Sequence, residues 1–330
     1  RAMAPRRGGD GWRLAQFMSR TLNTRKDKWG GESIDNRMRF SVEVCKAIRK
    51  ACGKNFPIEF RMSGSECYEG GYDIDEGIEF AKRLDGVVDL IHVSAGHHQQ
   101  MDAMVVTHPS MFCEDGCNAK YAREIKKHVK TPVATVGAFT DPAMMEEVIA
   151  SGGADVVEFA RQTLADPDFM LKARTGREDE INRCMRCMSC FASTGAGRHF
   201  HCAINPETGH ELEYRAMPPV KEKKTVLVAG GGVGGMEAAL TAARRGHKVI
   251  LCEKGPKLGG VLLCEDKVPF KTHLKEYLER QAMLCERAGV EIRLNTTVTP
   301  EYAIAQKADV LIAALGARPV KPPVEGIDGP

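Results

Sequence analysis

The sequence lacks any long hydrophobic run and any strong excess of charge of one sign. No stretch of its 330 residues approaches the ~18 apolar residues of a membrane span, and no apolar signal-type segment follows the first residues. The 47 Lys and Arg residues nearly balance the 44 Asp and Glu residues, so the formal charge is +3 without a polybasic patch. We therefore expect no membrane span and no nucleic-acid partner.

The sequence also lacks the cysteine arrangement of a small secreted domain. Its twelve cysteines are spread over a chain long enough for two domains with sizeable cores. Cys45, Cys52 and Cys285 fall in helix-like stretches, where we expect ordinary buried thiols. This usage predicts a reducing compartment, and the cytoplasm is the default.

One group of cysteines is clustered. Cys184, Cys187 and Cys190 are each separated by two residues, and Cys202 follows after eleven more. A C-x2-C-x2-C run places three thiolates on one side of a tight loop, and a distant fourth completes the ligands of a cubane 4Fe–4S cluster. Structural zinc, which usually uses two separated C-x2-C pairs, and a disulfide are the alternatives. The spacing favours an iron–sulfur cluster that relays electrons.

Strands and helices alternate before this cysteine run. Ser33 or Asp35 can cap a helix that Gly53 ends. Four apolar runs, each next to a helix-like stretch, predict a parallel sheet covered on both faces. Four such units are half of a (β/α)8 TIM barrel, so we expect an α/β fold with these strands: 56–62, 87–94, 132–136 and 155–159.

Polar residues and glycine follow these predicted strands. Because TIM-barrel chemistry gathers at the carboxyl ends of the strands, Arg61, His97 and His98 are candidate site residues. Gly137 and Arg161 could hold a cofactor phosphate through backbone N–H groups and one guanidinium. The alternatives are a core salt bridge for Arg61, a surface ion pair for Arg161 and structural roles for the histidines.

A nucleotide-binding pattern begins after the cysteine run. A buried strand over 225–229 leads into Gly230, Gly232 and Gly235, which fit G-x-G-x-x-G, and then into a helix over 236–245. The first glycine permits the tight turn, the second lets the backbone approach a pyrophosphate, and the third lets helix and strand pack closely. The next strand ends at Glu253, where an acid can bind a ribose hydroxyl. Strand, glycines, helix and acid together predict a Rossmann-like dinucleotide site.

Several segments resemble one family of flavin enzymes. Residues 23–31 (Asn-Thr-Arg-Lys-Asp-Lys-Trp-Gly-Gly) and 36–40 (Asn-Arg-Met-Arg-Phe) are similar to the loop and helix after the fourth strand of old yellow enzyme-type flavin reductases. With the cysteine run and the nucleotide pattern, the sequence resembles the multidomain branch containing 2,4-dienoyl-CoA reductase, 2-enoate reductases, bile-acid-inducible oxidoreductases and trimethylamine dehydrogenase.

The resemblance implies cofactor and substrate roles in the barrel part. Arg61 matches the arginine that faces the FMN ring, and 136–138, with Gly137 and Ala138, matches part of the FMN-phosphate site. Ala160 and Arg161 match the rest of that site. His97 and His98 lie where the reductases place an active-site histidine, so either could orient or protonate the substrate. Residues 7–12, where the family supplies polar side chains, contain neither tyrosine nor histidine, which leaves the proton donor open.

The resemblance also extends to the nucleotide-binding part. Residues 254–260, which end at Gly260, are similar to the FAD-binding half of two-dinucleotide flavoprotein reductases. Residues 309–319 resemble the strand and glycine turn that precede an NAD(P)H-binding insertion in those proteins. Direct NAD binding, or ADP held as in the amine dehydrogenase, is the alternative to FAD.

These patterns predict an NAD(P)H-dependent oxidoreductase, and we expect this chain to be a fragment of it. Further barrel strands would precede the chain and an NAD(P)H domain would follow it. The fragment alone should have little activity. Electrons would pass from NAD(P)H to FAD, through the cluster to FMN, and to the C=C bond of an α,β-unsaturated acyl or carbonyl substrate. The alternatives are a dehydrogenase that passes electrons from FMN to an external acceptor and a non-catalytic flavin- or zinc-binding scaffold. A homo-oligomer is possible. The expected domains are a partial FMN barrel, a cluster segment with linker, and a partial FAD/NAD(P) domain: 1–178, 179–222 and 223–330.

Overall fold

The computed structural model describes residues 2–3, 13–265, 267–317 and 320–327. The chain divides into two compact units, Arg1–Thr208 and Gly209–Pro330. Each unit is α/β and contains one parallel sheet. Within the described ranges, no helix combines the length and the apolar character needed to cross a membrane.

The first unit is built on five parallel strands that lie in the sheet in chain order. The four strands predicted from the sequence are present, with ends shifted by at most three residues, and a short first strand was not predicted. The strands are β1 (Ala2–Met3), β2 (Ile58–Ser63), β3 (Leu90–Ser94), β4 (Val133–Val136) and β5 (Val156–Glu158).

Local signals set the ends of several helices in this unit. The Ser33 side chain accepts a hydrogen bond from the backbone N–H of Asn36, and Gly53, with φ 87°, ends the same helix, as predicted. Cys52, the last residue of that helix, is exposed, so its prediction as a buried thiol was wrong; Cys45 and Cys285 are buried. The helices are α1 (Arg13–Met18), α2 (Ile34–Cys52), α3 (Ile74–Leu84), α4 (Met101–Thr107), α5 (Ala119–Lys126), α6 (Pro142–Ala150), α7 (Arg161–Ala165), α8 (Phe169–Arg174) and α9 (Ser189–Gly195).

The two faces of the first sheet differ in chemistry. Phe60, Met62 and Ile91 lie on one face and pack with apolar side chains of α2, α3, α5 and α6 in a single core. Side chains alternate along a strand, so the neighbouring residues point to the opposite face. Arg61 and His92 are partners in register on that second face, which is polar although the sequence predicted apolar strands.

The second unit is built on four parallel strands in the order β8-β7-β6-β9. The chain moves from β6 to β7 and β8 on one side and then crosses to β9 on the other side, so the strand order reverses beside β6. The strands are β6 (Thr225–Ala229), β7 (Lys248–Cys252), β8 (Glu291–Arg293) and β9 (Val310–Ala313), and the helices are α10 (Glu211–Arg215), α11 (Val233–Arg244), α12 (Thr272–Arg287) and α13 (Pro300–Ala305).

Candidate active site and cysteine loop

The loop that carries the first three clustered cysteines turns sharply around Cys187. Arg186 and Met188, on either side of it, have left-handed backbones with φ 54° and 63°. Such conformations are costly for residues other than glycine and persist where surrounding contacts hold them. Arg186 is held in this way: Nη1 donates to the carbonyl oxygen of Cys113 (2.7 Å), and Nη2 lies 3.0 Å from a carboxylate oxygen of Asp115.

The four clustered cysteines are neighbours in space. Burial raises the pKa of the Cys184 thiol to about 11, and the nearby Cys202 and Cys187 sulfurs also raise it. Burial likewise raises the pKa of Cys202, with contributions from Cys187 and Cys190. The backbone N–H of Arg186 donates to Cys184 Sγ at 3.4 Å, the type of contact that stabilises a sulfur ligand of an iron–sulfur cluster.

These sulfurs form a set of four thiolate donors, which both a 4Fe–4S cluster and a structural zinc ion use. The donor set therefore suits a 4Fe–4S cluster, and the C-x2-C-x2-C spacing in the sequence favours it over zinc.

Arg161, predicted to bind a phosphate, lies against the cysteine loop. It is the first residue of α7, which follows β5 directly. Its Nη1 donates to Met188 Sδ (3.0 Å), and its Nη2 donates to the carbonyl oxygen of Pro109 (2.8 Å). Met188 lies between the second and third clustered cysteines. The phosphate-site candidate therefore contacts the cysteine loop directly.

The backbone after β4 has the geometry of a close-approach turn. Gly137 has φ 150°, and a Cβ there would lie 2.7 Å from Asn118 Nδ2, so only glycine fits. Ala138 is left-handed with φ 58°. Because β4 and β5 are parallel neighbours, Gly137 and Ala138 emerge at the same sheet edge as Ala160 and Arg161. The four residues of the predicted phosphate site are thus at one edge.

The two candidate histidines have different surroundings. His97 is buried, its Nδ1 accepts a hydrogen bond from the backbone N–H of Gln99 (3.2 Å), and its Nε2 lies 3.9 Å from Glu66 Oε1. His98 is half-buried, and burial lowers its pKa, as do nearby Arg61 and His97. His98 therefore lies near Arg61, whereas His97 is packed in the interior. Residues 7–12, which bear on the proton donor, lie outside the described residues.

His108 is a candidate site residue that was not predicted from the sequence. Its Nε2 lies 3.0 Å from Nε2 of His98, and its ring centroid lies 4.2 Å from that of Phe191 in α9. Burial lowers the pKa of His108 to about 4, with contributions from His98, Arg161 and Arg61. It thus connects the strand-end residues with the cysteine loop. The only feature of the sequence that could have indicated His108 is its position ten residues after His98.

A second missed group lies on the polar face of the first sheet. His92 is 2% exposed, and its Nδ1 lies 2.8 Å from Glu59 Oε1 and 3.2 Å from Glu158 Oε2. The three residues come from β2, β3 and β5. Their potential metal-ligand atoms, one from each side chain, all lie within 4.8 Å of one another. Both distances are hydrogen-bond lengths, so one His92 proton shared by two carboxylates accounts for the geometry. The sequence predicted apolar strands here, so this polar group was not expected.

The glycine turn of the second unit is closely packed. Gly230 has φ 107°, and a Cβ there would lie 2.3 Å from the carbonyl oxygen of Ala314, in the loop after β9. A Cβ on Gly235 would lie 1.8 Å from the carbonyl oxygen of Gly230. At Gly232 the closest atom would be 3.8 Å away, which leaves this position open. The tight turn at Gly230 and the close packing at Gly235 agree with the motif, and the role of Gly232 beside a pyrophosphate stays a prediction.

Glu253 lies beneath this turn. It is buried, and its two carboxylate oxygens accept hydrogen bonds from the backbone N–H groups of Gly231 (2.7 Å) and Gly255 (2.8 Å). Gly260 is left-handed with φ 59°, and a Cβ there would lie 2.8 Å from the Cα of Gly232. The acid and the later glycine thus meet the glycine turn at the carboxyl edge of the sheet, where nucleotides bind in such sheets.

Comparison with known proteins places this chain in a family. Residues 7–180 match the model of the NADH:flavin oxidoreductase / NADH oxidase family. The chain belongs to this family. Residues 225–299 also match the model of FAD-dependent oxidoreductases. The resemblance inferred from the sequence motifs is therefore confirmed.

The proteins similar to this chain include enzymes with different activities. NADH oxidase of Thermoanaerobacter brockii is 41% identical over 328 residues, which cover 97% of this chain and 49% of that protein. The structure of a 2-naphthoyl-CoA reductase complex has a TM-score of 0.90 and 34% identity, and covers 96% of this chain and 48% of that one. The structure of histamine dehydrogenase from Rhizobium sp. 4-9 has a TM-score of 0.85 and 26% identity, and covers 93% of this chain and 45% of that one. The chain spans about half the length of these relatives.

Proposed function

We propose that this chain forms the flavin and cluster centre of an NAD(P)H-dependent reductase that acts on the C=C bond of unsaturated acyl or carbonyl compounds. The contact between Arg161, at the proposed flavin-phosphate site, and Met188, within the cysteine loop, carries the proposal. It brings a candidate flavin site and a candidate electron relay together in one unit. The first unit would be the second half of a (β/α)8 barrel.

The strand-end residues of the first unit suit FMN. Backbone N–H groups at Gly137 and Ala138 and the guanidinium of Arg161 would hold the phosphate, and Arg61 would place positive charge beside the flavin ring. FMN, when bound there, supplies hydride chemistry. The protein would hold it at a fixed distance from the cysteine loop.

The four clustered cysteines would hold a 4Fe–4S cluster in the reducing cytoplasm. Cys184, Cys187, Cys190 and Cys202 provide the thiolates, and the N–H of Arg186 stabilises one of them. A cluster at this position supplies one-electron transfer. A zinc-binding scaffold, the alternative, would use the same four thiolates, and metal analysis separates the two.

The second unit would be part of a Rossmann-like FAD-binding domain. The backbone of Gly230 and Gly232 would approach the pyrophosphate, Gly235 would permit close helix packing, and Glu253 would bind a ribose hydroxyl. Gly260 packs against the open Gly232 position. FAD bound there would accept electrons that NAD(P)H brings to the full-length enzyme. The domain bounds 1–178, 179–222 and 223–330 remain predictions.

The substrate side of the site would involve His98. It lies near Arg61 and is paired with His108, so its orientation is fixed. A neutral imidazole can donate a hydrogen bond to the substrate, and the protonated ring can donate a proton. The naphthoyl-CoA reductase among the similar structures supports an unsaturated acyl substrate.

The similarity to histamine dehydrogenase favours one other function. In that case the same groups would oxidise an amine and pass electrons from the FMN site through the cluster to an external acceptor. Arg61, Arg161 and the cysteine loop would have the same binding roles. The two functions differ in the electron donor and in the substrate.

The test is a cofactor and activity analysis of the full-length protein, purified anaerobically. We expect about four irons with matching sulfide, together with FMN and FAD, and NAD(P)H oxidation that depends on cinnamoyl-CoA as a model enoyl substrate. Cys187→Ser should lose the iron, whereas Cys52→Ser, at an exposed position, should retain it. Stoichiometric zinc without iron would contradict the relay. Reduction of the flavin by histamine but not by NAD(P)H would favour the dehydrogenase.

A further inference from the structure

Gln162 connects the short helix α7 with the start of the cysteine loop. Its side chain is 1% exposed. Its Oε1 accepts a hydrogen bond from the backbone N–H of Cys184 (2.9 Å), and its Nε2 donates to the carbonyl oxygen of Asn182 (3.0 Å). One amide therefore fixes the backbone on both sides of residue 183, directly before the first cluster cysteine.

Asn182 connects the same helix with both ends of the loop. It is 7% exposed, and its Nδ2 donates to the carbonyl oxygens of Ala165 (3.0 Å) and Ile204 (2.9 Å). Ile204 is two residues after Cys202, so a single side chain joins the entry and the exit of the loop to α7. The backbone N–H of Asn182 also donates to Asp166 Oδ2 (2.8 Å).

The exit of the loop has further bonds to α7. Asn205 Nδ2 and Thr208 Oγ1 both donate to the carbonyl oxygen of Leu164 (2.9 and 2.7 Å). Arg161, the first residue of α7, donates to Met188 inside the loop. These hydrogen bonds all involve α7, a helix of five residues, so a shift of this helix would move Arg161 and both arms of the loop together.

We propose that α7 couples flavin-phosphate binding to cluster binding, with Gln162 as the positioning residue. The inference rests on the proposed function, because it takes Arg161 as the phosphate ligand and the four cysteines as cluster ligands. A phosphate that orders Arg161 orders α7, which holds the Cys184 backbone in its ligating position. The coupling is reciprocal, since each cofactor must strengthen the binding of the other by the same factor.

The test uses the full-length protein with Gln162→Leu, which removes both hydrogen bonds at similar volume. We expect FMN affinity, measured by flavin fluorescence titration, to fall about tenfold, because two buried hydrogen bonds are lost. The EPR spectrum of the reduced cluster should change, and iron should be lost faster to a chelator. Thr163→Ser, at an exposed position of the same helix, is the control and should behave as wild type.

A second experiment tests the coupling in the opposite direction, by removing the cluster and measuring FMN binding. Cys187→Ser, whose cysteine has no bond to Gln162 among the described contacts, should also weaken FMN binding about tenfold. In Gln162→Leu, further removal of the cluster should then weaken FMN binding much less. A Gln162→Leu protein that changes one cofactor site and leaves the other at wild-type values would overturn the coupling.

Two variants separate this inference from the proposed function. If Arg161→Ala leaves FMN affinity unchanged, the phosphate site itself is misplaced and the proposed function fails at that point. If Arg161→Ala weakens FMN binding and Gln162→Leu does not, only the coupling is wrong. If Gln162→Leu does not fold, Gln162→Glu can replace it, because it keeps the acceptor for the Cys184 N–H and loses the donor to Asn182. Wild-type FMN affinity and wild-type iron retention in that variant would also overturn the inference.

Discussion

The Nε2 atoms of His98 and His108 lie 3.0 Å apart, and the two rings are perpendicular. One nitrogen must therefore donate its hydrogen to the other, so the pair is held with at least one neutral ring. Burial and this neighbour together make protonation of His108 unfavourable.

The low pKa of His108 predicts a specific pH dependence of stability. Its pKa is about 4 in the folded protein, against an ordinary value of 6.5. Between these values the unfolded chain binds more protons than the folded one, so stability falls as the pH decreases from about 6.5 to about 4. His108→Gln should flatten this decrease in the thermal unfolding midpoint. His210→Gln, at an exposed position, should keep the wild-type slope, and an equal slope in all three proteins would contradict the assignment.

Substitution of the two adjacent histidines should have different effects. His98→Asn should lower the turnover rate of the full-length enzyme about 100-fold with little change in flavin content, since His98 is proposed to act on the substrate. His97→Asn should mainly lower the unfolding midpoint, because His97 is buried. Steady-state kinetics and thermal unfolding measure both effects. Normal turnover in His98→Asn would exclude His98 as the proton donor.

The glycine turn offers a matched pair of substitutions. Gly235→Ala would place a Cβ 1.8 Å from the carbonyl oxygen of Gly230, whereas a Cβ on Gly234 would have no atom within 4 Å. We expect Gly235→Ala to weaken FAD binding by about 1–3 kcal/mol while FMN is retained. Gly234→Ala should retain both flavins. Flavin extraction and chromatography measure the contents, and equal FAD loss in the two variants would contradict the packing argument.

The group formed by Glu59, His92 and Glu158 should contribute to stability through its shared proton. His92→Phe removes the Nδ1–H that lies between the carboxylates of Glu59 and Glu158, so we expect a loss of about 2 kcal/mol. Adding Glu158→Gln should recover part of it. His128→Phe, which breaks an exposed pair with Glu124, is the control and should cost little. A lower unfolding midpoint of the wild type in EDTA would show instead that a divalent cation joins the three side chains.

Local chemistry allowed several features to be predicted from the sequence. The cap at Ser33 and the stop at Gly53 act within one turn of α2, and both were predicted. The four predicted strands became β2 to β5, because apolar residues on alternate positions were enough to mark each strand even though the opposite face is polar. The roles of Gly230 and Gly235 also follow from a local motif whose geometry is set by neighbouring residues.

Contacts between distant residues were decided only by the tertiary structure. The sequence predicted that His97 or His98 lies at the site. The structure distinguishes them, because His97 is buried and His98 lies near Arg61. His92 meets carboxylates 33 residues before it and 66 residues after it, because parallel strands place distant positions on one face. The sequence by itself determined the elements, the motifs and the family; strand register and packing determined which side chains meet, since neither is encoded in any single local segment.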